Sequence, residues 1–251
     1  MKQYLILLKK DFMELYRTKK ILIIAIIFIM FAMVSPIIAS VAPELFKSLG
    51  GDIAINLPVP TIVDSYTQFV KNIAQICCFT LIIVFGGLIV KEKRLGLFNN
   101  LLNNRVHKRN FVLSKISAQY ITVTIIYVLS CLAFSLYNYI LFDAFFAEYS
   151  FVSFLAIYVY LLFVISFVNF YSVISKSNVV SIVLSFSTIL LISLFDLFKF
   201  GKYLPNYLLN IAVNVFGDKT CLDYIWQNIL IALFLSVLMI LLSIKLCKNK
   251  D

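Results

Sequence analysis

The sequence predicts an all-α polytopic membrane protein: an N-terminal interfacial amphipathic helix, six transmembrane helices, both termini cytoplasmic, and a half-inserted outer segment between spans five and six. Three observations predict it. First, 62% of the 251 residues are apolar and only 14% charged, with a mean hydropathy of +0.99, too apolar for a water-soluble globule. Second, six stretches longer than 18 residues contain no Asp, Glu, Lys or Arg: Ile21 to Pro43, Asn72 to Val90, Ile116 to Phe142, Tyr149 to Ser175, Ser177 to Phe195 and Tyr224 to Ile244. A bilayer core about 30 Å thick takes roughly 20 apolar residues of helix, so each is a span. Third, with the N-terminus inside, 17 of the 22 basic residues fall on the cytoplasmic side, which nets +13 against −3 outside. This positive-inside bias fixes the orientation. It also accounts for the net charge of +10 without a nucleic-acid partner, which would need a basic face on a soluble module.

The elements follow in order within a single domain, 1–251. Residues 2–18 form the interfacial helix, with Leu5, Leu8, Phe12, Leu15 and Tyr16 towards one side and Lys9, Lys10, Glu14 and Arg17 towards the other. Its lysines face anionic head groups of membrane lipids. The first span is too long for the 7–15-residue core of a secretory signal and has a helix-forming segment ahead of it. Pro43 to Lys71 is an outer segment punctuated by Pro43, Gly50, Gly51, Pro58 and Pro60, with a short helix at Glu44 to Leu49. The second span leads into the most charged stretch, residues 91–115, on the cytoplasmic side. A short acidic turn around Asp143 and Glu148 joins spans three and four, and Lys176 marks a tight inner hairpin between spans four and five. Residues 196–223 carry Leu204, Tyr207, Leu208 and Ile211 but are interrupted by Pro205 and several asparagines. Too short to cross, this segment dips back into the outer leaflet or lies on it.

Catalytic chemistry finds no residues here. His107, the single histidine, sits among Arg105, Lys108 and Arg109, which excludes a serine–histidine triad and an HExxH metal site. The cysteines Cys77, Cys78, Cys131, Cys221 and Cys247 show no C-x-x-C spacing, hence no zinc site or disulfide framework. No G-x-x-x-x-G-K-[ST] loop occurs, so the chain does not bind ATP in that way, and no cofactor or metal is expected on it. Polar residues inside the spans are Gln75, Thr80, Gln119, Asn138, Ser166 and Asn169. They are candidates either to line a translocation path or to hydrogen-bond neighbouring helices. No Asp, Glu, Lys or Arg lies within the spans, which argues against a proton- or ion-coupled transporter and for energy supplied by a partner.

Within residues 91–115, Glu92 and Arg94 precede Gly96, Leu97, Leu101 and Leu102, and Arg105, Val106 and Lys108 form a basic step into the third span. The physics fits either a docking helix or an interfacial helix. The arrangement resembles the membrane-spanning permease subunits of type-2 ABC exporters. In that family the second span ends in an acid, followed by Gly-Thr, a leucine-rich turn and a Pro-Val-Ser-Arg-like step. Glu92, Gly96, Leu101, Leu102, Val106, Lys108 and Lys115 match; Leu97 stands where threonine is usual and Arg105 where proline is. The resemblance implies that 91–115 couples to a separate cytoplasmic ATP-binding subunit, which carries ATP and Mg, and that a second permease chain, the same or different, completes the path. It further implies a bacterial plasma membrane and, by analogy with small permeases of bacteriocin immunity and antibiotic resistance, export of a peptide or amphipathic compound. The competing expectation is a non-transporting immunity or sensor protein that binds a toxin or partner through its outer segments.

Overall fold

The computed structural model describes residues 2–49, 59–96, 107–195, 199–217 and 219–247, with the side chains at 2, 43–49, 199, 200 and 219 outside the described set. Every regular element among them is helical, as expected where water is absent and each backbone polar group must be paired within its own segment. The order is α1 (Lys2–Arg17), α2 (Lys20–Leu49), α3 (Ile62–Asn72), a π-helical turn (Ile73–Cys77), α4 (Cys78–Phe85), α5 (Leu88–Arg94), α6 (Lys108–Phe142), α7 (Ser150–Ile174), α8 (Asn178–Leu194), a 3-10 turn (Lys199–Tyr203), α9 (Tyr207–Asn214), a second 3-10 turn (Lys219–Tyr224) and α10 (Ile225–Leu246). Helix α7 is central and packs on α4, α5, α6, α8, α9 and α10, while α2 lies along α6 and α3.

Among the described residues, five helical stretches are long and apolar enough to cross a bilayer: Lys20–Ala42, Ile62–Arg94, Lys108–Phe142, Ser150–Ile174 and Thr220–Leu246. The expected fifth span is the 17-residue helix α8. At 1.5 Å per residue it covers about 25 Å, short of a hydrocarbon core of about 30 Å. The second span starts ten residues earlier than the charge spacing implies, because Lys71 lies inside α3 rather than ahead of the helix. Asp64 fixes that start, its carboxylate accepting the Thr61 backbone N–H at 2.8 Å. The short helix expected at Glu44 to Leu49 is continuous with α2.

Two clusters mark opposite ends of the bundle. At one, Ile89, Phe111, Val112, Ile116, Val173 and Cys247 bring together the end of α5, the start of α6 and the ends of α7 and α10. At the other, Tyr66, Phe69, Phe134 and Phe154 stack edge and face across α3, α6 and α7, with Phe216 against Tyr66 at 4.8 Å. Helices α6 and α7 are therefore antiparallel. Helix α9, eight residues long, is too short to span and packs by Leu208, Ile211 and Ala212, all fully buried, chiefly against α7.

Polar groups secure the irregular points. In α2, Pro36 removes an N–H from the helix interior. Beside it Ser35 donates to the Phe31 carbonyl and accepts from Asn72 Nδ2 at 2.8 Å. Between α4 and α5 the chain turns through Gly86 and Gly87, and the new backbone donors Ile89 and Val90 are taken up by Ser172 Oγ of α7 at 3.2 and 3.4 Å. This glycine pair lets α8 approach closely: a Cβ on Gly86 would lie 2.6 Å from the Ile82 carbonyl oxygen and 2.8 Å from Ile182 Cγ1, and one on Gly87 2.8 Å from Asn178.

Helix α1 turns a different face inward from the one its apolar periodicity implies. Leu7, Asp11 and Leu15 are buried, whereas Leu5, Ile6 and Tyr16 are 59%, 68% and 73% exposed. The wheel rule that places apolar residues inward holds for water; beside a bilayer the outward face is the apolar one.

Gly86→Ala is expected to lower thermal stability in detergent by about 1–3 kcal/mol, the usual cost of overpacking a tight contact. Gly217→Ala, with open space around its Cβ, should leave the melting temperature nearly unchanged in the same assay.

A buried ion-pair knot as the candidate functional site

At the end of the bundle that holds α1, three acids converge. Asp11 and Glu14 are three residues apart on α1 and so share a face; Glu92 comes from the last turn of α5. Their ligand-type oxygens all lie within 4.8 Å of one another. The ammonium of Lys115, on the second turn of α6, occupies the centre. It donates to Glu14 Oε2 at 3.1 Å and Asp11 Oδ1 at 3.3 Å, and lies 3.2 Å from Glu92 Oε1. Of its three N–H donors, one bonds Glu14 and one Asp11, and Glu92 completes the ring as an ion-pair neighbour. The position a metal ion would take among these oxygens is filled by Nζ.

Lys115 is 2% exposed and Asp11 and Glu92 are each 3% exposed. Two further contacts tighten the knot: Lys10 Nζ reaches Glu92 Oε1 at 2.6 Å, and the Ser114 hydroxyl donates to Asp11 Oδ2 at 2.6 Å. Burial pushes the Glu14 carboxyl up, but the attraction and hydrogen bond of Lys115, with Lys10 and Lys20 beyond, outweigh it and hold Glu14 below its ordinary value of 4.5. A cavity of about 10 Å3 adjoins the knot, lined by Asp11, Glu14, Lys115 and Gln119 among others, room for about one water.

Of the coupling residues expected from the sequence, Glu92 is inside the knot. Arg94 is exposed on the last turn of α5, and Lys108 is half-buried at the first residue of α6. Gly96 ends α5 with φ +69°, a left-handed conformation that favours glycine, and its N–H bonds the Lys93 carbonyl at 3.2 Å. Leu97, Leu101, Leu102 and Arg105 lie outside the described residues.

The span polar residues mostly bond neighbouring helices. Gln119 and Asn169 exchange both amide hydrogen bonds, at 2.6 and 3.1 Å, across α6 and α7. Ser166 meets Tyr120 at 2.6 Å. Asn138 Oδ1 accepts from Ser65 at 2.5 Å. Thr80 donates to the Ile76 carbonyl of its own helix. Gln75 stands apart: it lies in the π-helical turn and is exposed.

The charge-free runs do not betray the knot, since by construction they hold none of its residues. Glu92 and Lys115 lie just beyond the ends of two runs, and α1 folds over to bury them. The available signal was Asp11 and Glu14, two acids three apart in a segment otherwise basic. No protein-family profile matches the chain, and no curated protein matches it.

Removing one partner of a buried pair leaves an uncompensated charge, so Lys115→Met is expected to cost about 3 kcal/mol or more. Adding Glu92→Gln to it should recover part of that loss, read from thermal unfolding of single and double variants. Glu14 titrates lower folded than unfolded, so its contribution is present above about pH 4.5 and is lost as pH falls through the depressed value. Wild-type stability should therefore drop as pH falls below about 4.5, and Glu14→Gln should flatten that part of the profile.

Proposed function

We propose that this chain is the permease subunit of an ATP-driven ABC exporter, with no catalysis of its own, coupled to a separate ATP-binding subunit that carries ATP and Mg. The observation that carries the reading is the knot. Glu92 and Lys115 bracket the segment the sequence assigns to coupling, and they meet at 3.2 Å. Both ends of that segment are thus tied to one another and, through Asp11 and Glu14, to α1. A push on the segment from a cytoplasmic ATPase would be delivered to α1, α5 and α6 together.

The finer topology belongs to the same proposal. Six helices cross a bacterial plasma membrane with α8 as the short fifth span, both termini are cytoplasmic, and residues 196–223 are half-inserted on the outer side. A second permease chain, the same or different, completes the path. The basic sidedness of the sequence supports this orientation. Peptide or amphipathic cargo, with the roles in bacteriocin immunity and antibiotic resistance, rests on the resemblance of residues 91–115.

The test is ATPase activity of the ATP-binding subunit encoded beside this chain, reconstituted in lipid with the chain and with its Leu101→Asp variant. Activity should depend on the chain and fall at least tenfold in the variant while the variant's melting temperature holds. Activity indifferent to both would overturn the reading.

A further inference from the structure

The knot has an effect on the surface as well as in the interior. Among the described residues, Asp11, Glu14 and Glu92 are the acids at this end of the bundle, and all three turn inward to Lys115 and Lys10. The cations are not withdrawn in the same way. Eight described lysines and arginines at this end are exposed, Lys9, Arg17, Lys91, Arg94, Arg109 and Lys245 among them, and none pairs with a described carboxylate. Burying the acids thus leaves a rim of a single sign.

Helix α1 contributes the second half of the pattern. Its outward face carries Leu5, Ile6, Phe12, Met13 and Tyr16, with Lys9 and Arg17 on the same side. This apolar face continues into α2, where Leu22, Ile23 and Ile26 are 54%, 44% and 56% exposed on a helix long and apolar enough to span. A protein partner would have to cover a surface that merges with the lipid-facing belt; a lipid leaflet covers it without interruption. Exposed apolar side chains beside unpaired cations are what an interfacial helix presents to anionic lipid.

We propose that α1 and this cationic rim are a docking surface for anionic phospholipid head groups of the surrounding leaflet. Leu5, Ile6 and Tyr16 lie in the acyl boundary, and Lys9 and Arg17, with the rim from α5, α6 and α10, bind phosphates. The knot contributes indirectly, by engaging the three carboxylates with Lys115 and Lys10 so that none pairs with a cation of the rim. The inference requires only that the chain lies in a bilayer and is independent of the transport reading.

The chain carries one tryptophan, Trp226, on the first turn of α10 and therefore at the opposite end. Trp226→Phe with Ile6→Trp places a single reporter on α1. In vesicles of zwitterionic phosphatidylcholine containing a small fraction of brominated lipid, brominated phosphatidylglycerol should quench this reporter more strongly than brominated phosphatidylcholine. The expected enrichment is about fivefold at low salt, falling towards parity near 1 M salt, where screening acts within about 3 Å. Lys9→Glu with Arg17→Glu, both exposed and outside the knot, should abolish the preference while quenching by both lipids persists. The wild-type Trp226 should show no preference. Equal quenching by the two lipids at low salt would overturn the proposal. So would a preference that survives high salt and the double variant, or a reporter quenched by neither lipid, which would mean protein covers the face.

Discussion

An ammonium group can sit 2% exposed among apolar helices only if its charge is matched on the spot, and Lys115 imposes that condition on three other elements. Desolvating each ion costs several kcal/mol, regained only with close partners and satisfied protons. One carboxylate would leave two N–H donors bare. Glu92 and the Asp11–Glu14 pair supply three, so α5 and α1 are held where their acids can reach α6. The arrangement demands that α1 lie on the bundle rather than trail from it, and Lys20, donating to the Val84 carbonyl at 2.9 Å, fixes where α1 gives way to α2.

How much of this could be read from the chain depends on whether the signal was local. Charge-free runs located α2, α6, α7 and α10 to within a few residues at most ends, because insertion depends on the hydropathy of a contiguous stretch. The same criterion failed at Ile62–Asn72, where Asp64 and Lys71 interrupt the run although the helix continues through them. The π-helical turn at Ile73–Cys77 and the close approach of Gly86–Gly87 to α8 depend on neighbours distant in sequence and left no periodic trace. For the site, Glu92 stood out by its place at the end of a span. Asp11 and Glu14, which share Lys115 with it, are some 80 residues away, and only the docking of α1 brings them there.

The seam between α6 and α7 follows a different logic. Gln119 with Asn169, Tyr120 with Ser166, Thr124 with Tyr158, and Tyr127 with the Phe154 carbonyl form successive rungs as the two helices run antiparallel. In lipid, apolar contact alone hardly favours one helix partner over hydrocarbon, and each such polar contact adds about 0.6 kcal/mol. A ladder of four rungs specifies register more than it adds strength, since a slip of one residue would break all four contacts across the seam and leave Thr124, Ser166 and Asn169 only their bonds to carbonyls of their own helices.

The knot and the seam divide this end of the protein into parts of unequal stiffness. Separating α1, α5 or α6 means parting charges in an interior where an uncompensated one costs about 3–5 kcal/mol. Helix α8 is held otherwise: among its described residues only Ser181 and Ser185 are fully buried, and it is Ile182 and Asn178 that lie against Gly86 and Gly87. With no ion pair across them among the described residues, these contacts yield to displacement at lower cost than the knot does. Parting α1, α5 and α6 from one another therefore costs more than displacing α8 from the Gly86–Gly87 corner.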